Sequence, residues 1–160
     1  MKLQELIDNL KKTPAYQEFK EKEPSSFLCA GFFVLDLDEG GNKYQLDFFL
    51  PNKKKVAITE FPFLEINIQP DEMPSASPLL LSLETDLDEL EEKIGEIKEK
   101  NNSKMKTNKI IAVLKDNIWN LTCLSNTMDL LRIKLNAETG EVLKFEKAGL
   151  MEMIRIEKKS

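Results

Sequence analysis

Leu3, Leu6, Ile7 and Leu10 fall at i, i+3, i+4 and i+7, the spacing of one apolar helix face. Thr13 followed by Pro14 is a cap and first-turn signal, so a second short helix is expected from Pro14 to about Lys22. Tyr16 and Phe19 would form its buried face, and Pro24 would stop it. The period then changes. Phe27 to Asp36 (FLCAGFFVLD), Tyr44 to Leu50 and Lys55 to Phe61 read as strands of an antiparallel meander. Their turns, Asp38 to Asn42 and Pro51 to Lys54, are built of residues that tolerate positive φ or preset a bend. Phe63 to Ile68 is a candidate extension of the same sheet.

From Gln69 to Pro78 the composition shifts to Pro70, Pro74 and Pro78 with serines and acids between them, which predicts a connector. Leu79 to Leu83 is apolar and fits either period. Asp86 with Glu89 three residues on is a capping-box-like start, and Leu87, Leu90, Ile94 and Ile97 supply the stripe of a third helix. Acids crowd its first turn and Lys98 and Lys100 its last, as the helix dipole favours. After the polar stretch Asn101 to Asn108 come four more strand candidates: Lys109–Leu114, Asn117–Leu124, Leu130–Asn136 and Glu141–Glu146.

The order of helix followed by meander thus occurs twice. The expected fold is α+β, two helix-plus-antiparallel-meander units packed as one compact body. The units span 1–68 and 84–160, with a Pro-rich connector at 69–83. Sidedness separates them. Leu131, Ile133 and Leu135 alternate with Arg132, Lys134 and Asn136, the mark of a sheet with one dry and one wet face. In Phe27–Asp36 both alternating sets are apolar, and ten of the twelve aromatic residues precede Gln69. Either both faces of that first sheet are covered within the chain, or one meets a partner.

Composition narrows the chemistry. A net charge of -5 argues against a nucleic-acid binder, which would concentrate cations on one face. Lys53-Lys54-Lys55 sits in a turn, and the lysines from Lys98 to Lys109 follow an acidic helix start. With no histidine, Ser-His-Asp and Cys-His catalysis and His-ligated zinc are closed to this chain. Cys29 and Cys123 lie in apolar, strand-like surroundings and are expected as buried thiols rather than a disulfide framework. No apolar leader and no stretch of 18 apolar residues is present, so no membrane partner is expected and a cytoplasmic location is the default.

Candidate sites are few. Asp36, Asp38, Gly41 and Asp47 match positions of a calcium loop, but Gly40 stands where a ligand is needed and strands flank the segment, so a polar hairpin turn is expected and no metal. Asp36, Asp47, Glu60 and Glu65 are the acids from which a catalytic pair could be drawn, or they are edge charges that block strand addition. None of the six glycines has phosphate-loop spacing, and no cofactor is expected. Leu150, Met151, Met153 and Ile154 are expected to form a last strand or short helix docked on the sheet.

A helix, strands, Trp119 and then Ile133-Lys134-Leu135-Asn136-Ala137-Glu138-Thr139-Gly140-Glu141-Val142-Leu143 resemble a PepSY domain over roughly Asp86 to Glu146. The stretch LIDNLKKTPAYQEFKEKEPSSFLCAGFFVLD resembles an uncharacterised family of prokaryotic proteins, mostly archaeal and small-genome bacterial, that join such a segment to a PepSY-like part. The resemblance implies an inhibitory or protein-binding role. The expected function is therefore a non-enzymatic module that binds a protein or peptide, or a second copy of itself. Its surface is sought around Phe32, Phe48, Phe49 and Trp119. A carrier with an apolar pocket between sheet and helices, and a carboxylate-based enzyme, are the alternatives.

Overall fold

Thr13 Oγ1 accepts a hydrogen bond from the Tyr16 N–H at 3.2 Å and sets the start of α2 (Pro14–Lys22), with Pro14 in its first turn. Before it, α1 (Leu3–Lys11) buries Leu3, Leu6, Ile7 and Leu10. A 3₁₀ turn at Leu87–Glu89 leads into α3 (Leu90–Lys100), and the capping box of Asp86 and Glu89 is formed. The Asp86 carboxylate also accepts from the Leu3 N–H at 2.9 Å, so one side chain ties the starts of two helices together. The structure, a computed structural model, describes residues 1–149.

Among the described residues eight strands form one sheet, and every neighbouring pair is antiparallel. They are β1 (Phe27–Asp36), β2 (Lys43–Leu50), β3 (Lys55–Glu60), β4 (Asn67–Glu72), β5 (Lys109–Lys115), β6 (Ile118–Leu124), β7 (Asp129–Asn136) and β8 (Val142–Gly149). Their order is β4-β3-β2-β1-β5-β6-β7-β8, two four-strand meanders joined through their first strands. The first four residues of the expected connector, Gln69, Pro70, Asp71 and Glu72, lie inside β4. The expected tail element at Leu150 to Ile154 falls outside the described residues.

Turn chemistry explains the hairpins. Asp116 and Asn117 both take positive φ between β5 and β6, and Lys115 faces Ile118 across that two-residue turn. Asp36 and Asn136 each open the same local motif. A side-chain oxygen accepts from the N–H groups two and three residues on, and a glycine with positive φ (Gly40, Gly140) donates to the first residue's carbonyl. The first motif links β1 to β2 and the second links β7 to β8. The two turns thus occupy non-equivalent places in the meanders and reflect local chemistry rather than a copied unit.

One face of the sheet carries all three helices. Its core runs without a break from Leu3, Leu6 and Phe19 through Phe33, Leu46 and Phe48 to Ile110, Trp119, Ile133 and Leu135. Gly31 lies under the Phe33 ring, and a Cβ there would meet that ring at 2.5 Å. Near the start of β1 the register shifts between Leu28 and Ala30, so Cys29 is an extra residue in the strand. Cys29 and Ala30 then lie with Phe49 in a small second cluster on the other face.

The connector covers that cluster. Met73 and Ala76 pack against Cys29, Ala30 and Phe49, and the Leu79 N–H then donates to the Leu28 carbonyl at 2.9 Å. That carbonyl is available because β5 ends at Lys115, opposite Ala30. Leu79 joins the main core, and the Glu84 N–H reaches the Ala137 carbonyl at 2.8 Å. The connector is therefore a strap from one face of the sheet to the other.

Candidate functional site: the open face of the sheet

The register places side chains in rows across the face away from the helices. One row reads Glu60, Gln45, Phe32, Val113, Asn120, Lys134 and Lys144. Its neighbour reads Lys43, Val34, Ile111, Thr122, Arg132 and Glu146. Phe32 is 39% exposed, and Val34, Ile111 and Val113 are half-buried. These four form an apolar floor on β1 and β5. Longer cationic side chains stand on either side, with Lys43 on β2 and Arg132 and Lys134 on β7. None of these three makes an ion pair among the described residues.

Of the four residues around which an interaction surface was sought, Phe32, Phe48, Phe49 and Trp119, only Phe32 belongs to this face. Phe48 is buried beneath α2, with its ring 5.2 Å from Phe19 and 6.0 Å from Tyr16. Phe49 is buried under the strap beside Phe27. Trp119 is fully buried, and its indole N–H donates to the Thr85 carbonyl at 2.9 Å. The parity of the strands decides these placements. Phe48 and Phe49 are adjacent and must point to opposite faces, and both faces are covered at that end of the sheet. The residues missed were Val34, Ile111 and Val113. For Ile111 and Val113 the signal was the unbroken apolar run Ile110 to Leu114, where a one-sided strand would alternate, and for Val34 it was the apolar character of both alternating sets in Phe27–Asp36.

The acids do not converge. The Asp36 carboxylate is occupied by the backbone N–H groups of Glu39 and Asp38, which hold its pKa below the usual carboxylate value. The calcium-like spacing is thus a hairpin turn whose first carboxylate already serves its own backbone. Asp47 lies on the open face of β2, where burial pushes its pKa up, while Gln45 and Lys115 oppose the shift. Among the described residues no three His, Cys, Asp or Glu side chains gather to hold a metal. Cys29 and Cys123 are free buried thiols, raised to about 11 and about 12, both chiefly by burial.

Asp47 makes a prediction. Its pKa is higher folded than unfolded, so its contribution to stability is present below the ordinary value of 3.8 and is lost as pH rises through the raised folded value. Asp47→Asn keeps an oxygen to accept from Gln45 and removes the charge. Urea denaturation should find the variant more stable than the parent at neutral pH, with the difference shrinking toward pH 3. A gap that stays constant across this range would contradict the assignment.

The basic clusters seen in sequence have local work. Lys53 pairs with buried Glu23 at the end of α2. Lys98 donates to the Met105 carbonyl at 2.9 Å and to Thr107 Oγ1 at 3.2 Å. The larger clefts are open to solvent. One of about 720 Å³ lies between residues 103–108 and the β7–β8 end, with Met105 and Leu131 beside Lys104 and Lys147. Another, of about 760 Å³, lies between α2 and residues 64–68.

No family model matches the chain, and no curated protein matches it. Among solved structures, a crystal structure of a putative lipoprotein from Clostridium difficile has a similar fold. It has a TM-score of 0.52 at 14% identity, with 84% of this chain and 90% of that one covered. No helix among the described residues is long and apolar enough to cross a membrane.

Proposed function

We propose that the protein is a non-enzymatic binding module of the cytoplasm that takes an acidic amphipathic helix of a protein partner on the open face of its sheet. The observation that carries this reading is the half-exposed floor of Phe32, Val34, Ile111 and Val113 between cations on β2 and β7 that make no ion pair among the described residues. Adjacent strands lie about 4.8 Å apart, so the two flanking strands, four steps apart, are separated by about 19 Å. A helix with its side chains is about 10–12 Å across and fits between them. The seven residues of β5 extend about 20 Å, the length of roughly 14 helical residues. Apolar residues on the ligand helix would cover the floor, and acids on its flanks would meet Lys43, Arg132 and Lys134. The resemblance of the second half to PepSY domains agrees with a protein-binding role. A carrier is less favoured, because it needs an enclosed apolar pocket and the clefts here are open.

The test is a chemical-shift titration of the isotope-labelled protein with a synthetic amphipathic helical peptide carrying leucines on one face and glutamates on its flanks. Shifts should centre on Phe32, Val34, Ile111 and Val113 and weaken with salt. Phe32→Asp should reduce affinity about tenfold or more, a loss of about 1.4 kcal/mol. Shifts confined to the helical face, or none at all, would refute the reading.

A further inference from the structure

The two flanks of the open face carry different polar groups. On β6 and β7 the register sets Asn120 opposite Lys134 and Thr122 opposite Arg132, with Val113 and Ile111 of the floor next in the two rows. Asn120, Arg132 and Lys134 are exposed, and Thr122 is half-buried. None of these four side chains makes a hydrogen bond or an ion pair among the described residues. The flank on β2 and β3 is already engaged. Gln45 donates to the Asp47 carboxylate at 2.9 Å, and Glu60 stands opposite Gln45. Lys43 is the single cation that these two rows hold on that side.

We propose that this face selects a ligand helix with two carboxylates four residues apart on one flank, Arg132 and Lys134 each taking one while Thr122 and Asn120 donate from beneath. That choice of ligand rests on the helix-binding reading of the face. It adds which flank holds the acids and how they are spaced. Arg132 and Lys134 are two residues apart on one strand, about 6.8 Å along it. Residues i and i+4 of a helix share a flank and lie about 6.0 Å apart along its axis, whereas i and i+7 are about 10.5 Å apart. The same i, i+4 spacing brings two apolar residues over the Phe32–Val113 row and the Val34–Ile111 row.

The strand between floor and cations supplies the second argument. A carboxylate reaching from the floor toward β7 passes over β6, and so over Thr122 and Asn120. A hydroxyl and an amide N–H can each donate to it, and hydrogen bonds to an ionised acceptor are the strong ones. On the opposite flank Glu60 and Asp47 repel acids, so the face discriminates by repulsion as well as attraction. The ligand is therefore asymmetric, with its acid pair toward β7 and at most one acid beside Lys43.

Three peptides with the same leucine face and the same net charge test this by chemical-shift titration of the full labelled chain. One carries glutamates at i and i+4 on one flank, one at i and i+7 on one flank, and one has a glutamate on each flank. All three should shift Phe32, Val34, Ile111 and Val113, and the i, i+4 peptide should bind about tenfold more tightly than the others. Arg132→Gln and Lys134→Gln should each lower that preference to about twofold or less, while Lys43→Gln should weaken only the peptide with a glutamate on each flank. The amide spectrum of each unbound variant is the folding control. Equal binding of the three peptides at the floor would overturn the acid-pair selection and leave the helix-binding reading standing. So would a preference that survives Arg132→Gln combined with Lys134→Gln. Peptides that shift no floor residue would overturn both.

Discussion

Trp119→Ala is expected to cost about 3–5 kcal/mol of folding stability, the range for removing a large aromatic from a packed core. Three losses combine. The indole fills the centre of the core beside Phe33, with ring centroids 6.0 Å apart. Its N–H is the partner of the Thr85 carbonyl, which would be left buried and unsatisfied. Thr85 immediately precedes Asp86, whose carboxylate caps the turn into α3 and accepts from the Leu3 N–H. Loosening residue 85 therefore reaches the starts of both α1 and α3. Trp119→Phe keeps most of the ring volume but not the donor, so its cost should be smaller, about 1–3 kcal/mol. Denaturant unfolding of the three proteins checks the order. If the two variants lost equal stability, the hydrogen bond rather than the packing would dominate.

Phe48→Ala is expected to cost a similar amount, about 3–5 kcal/mol, with its effect centred on α2. Phe19 is the buried residue of that helix, and its ring packs against Phe48, with Tyr16 on the same side. α2 has nine residues, too few to be stable in water without such packing. Hydrogen exchange should therefore find the amides of α2 losing protection before those of α3. Phe32→Ser, on the open face, removes a side chain already 39% exposed and should cost far less. A Phe32 variant that destabilised the fold as much as Phe48→Ala would show that the open face is closed.

Much of the architecture was legible because its causes are local. The cap at Thr13, the box at Asp86 and Glu89 and the hairpin turns each depend on a few neighbouring residues, and each formed where its residue types predict. The burial of Trp119 was legible too. Trp119, Leu121 and Cys123 alternate with Asn120 and Thr122, which places the indole on the dry face. The faces of Phe48 and Phe49 were not legible, because apolar residues on both parities erase the alternation that would tell them apart. The extra residue at Cys29 also shifts the pattern of its own strand. Nor does local pattern reveal that Asn67, Ile68 and Glu72 pair with β3 as an edge strand, or that Met73 and Ala76 cover one end of a face. Those contacts join residues far apart in sequence, and only the folded sheet brings them together.

Among the described residues the only strand pairing between the two meanders is the ladder of β1 on β5, which matches Ala30 with Lys115 and Asp36 with Lys109. Every rung spans more than seventy residues, whereas the other six ladders close short hairpins or loops. Closing such a long loop costs entropy before any contact offsets it, and long-range pairing of this kind slows folding. During synthesis the first meander leaves the ribosome with β1 as a bare apolar edge, and it must wait for β5 to emerge. The interval is a window for mispairing and chaperone capture, set by the length of chain between the two strands.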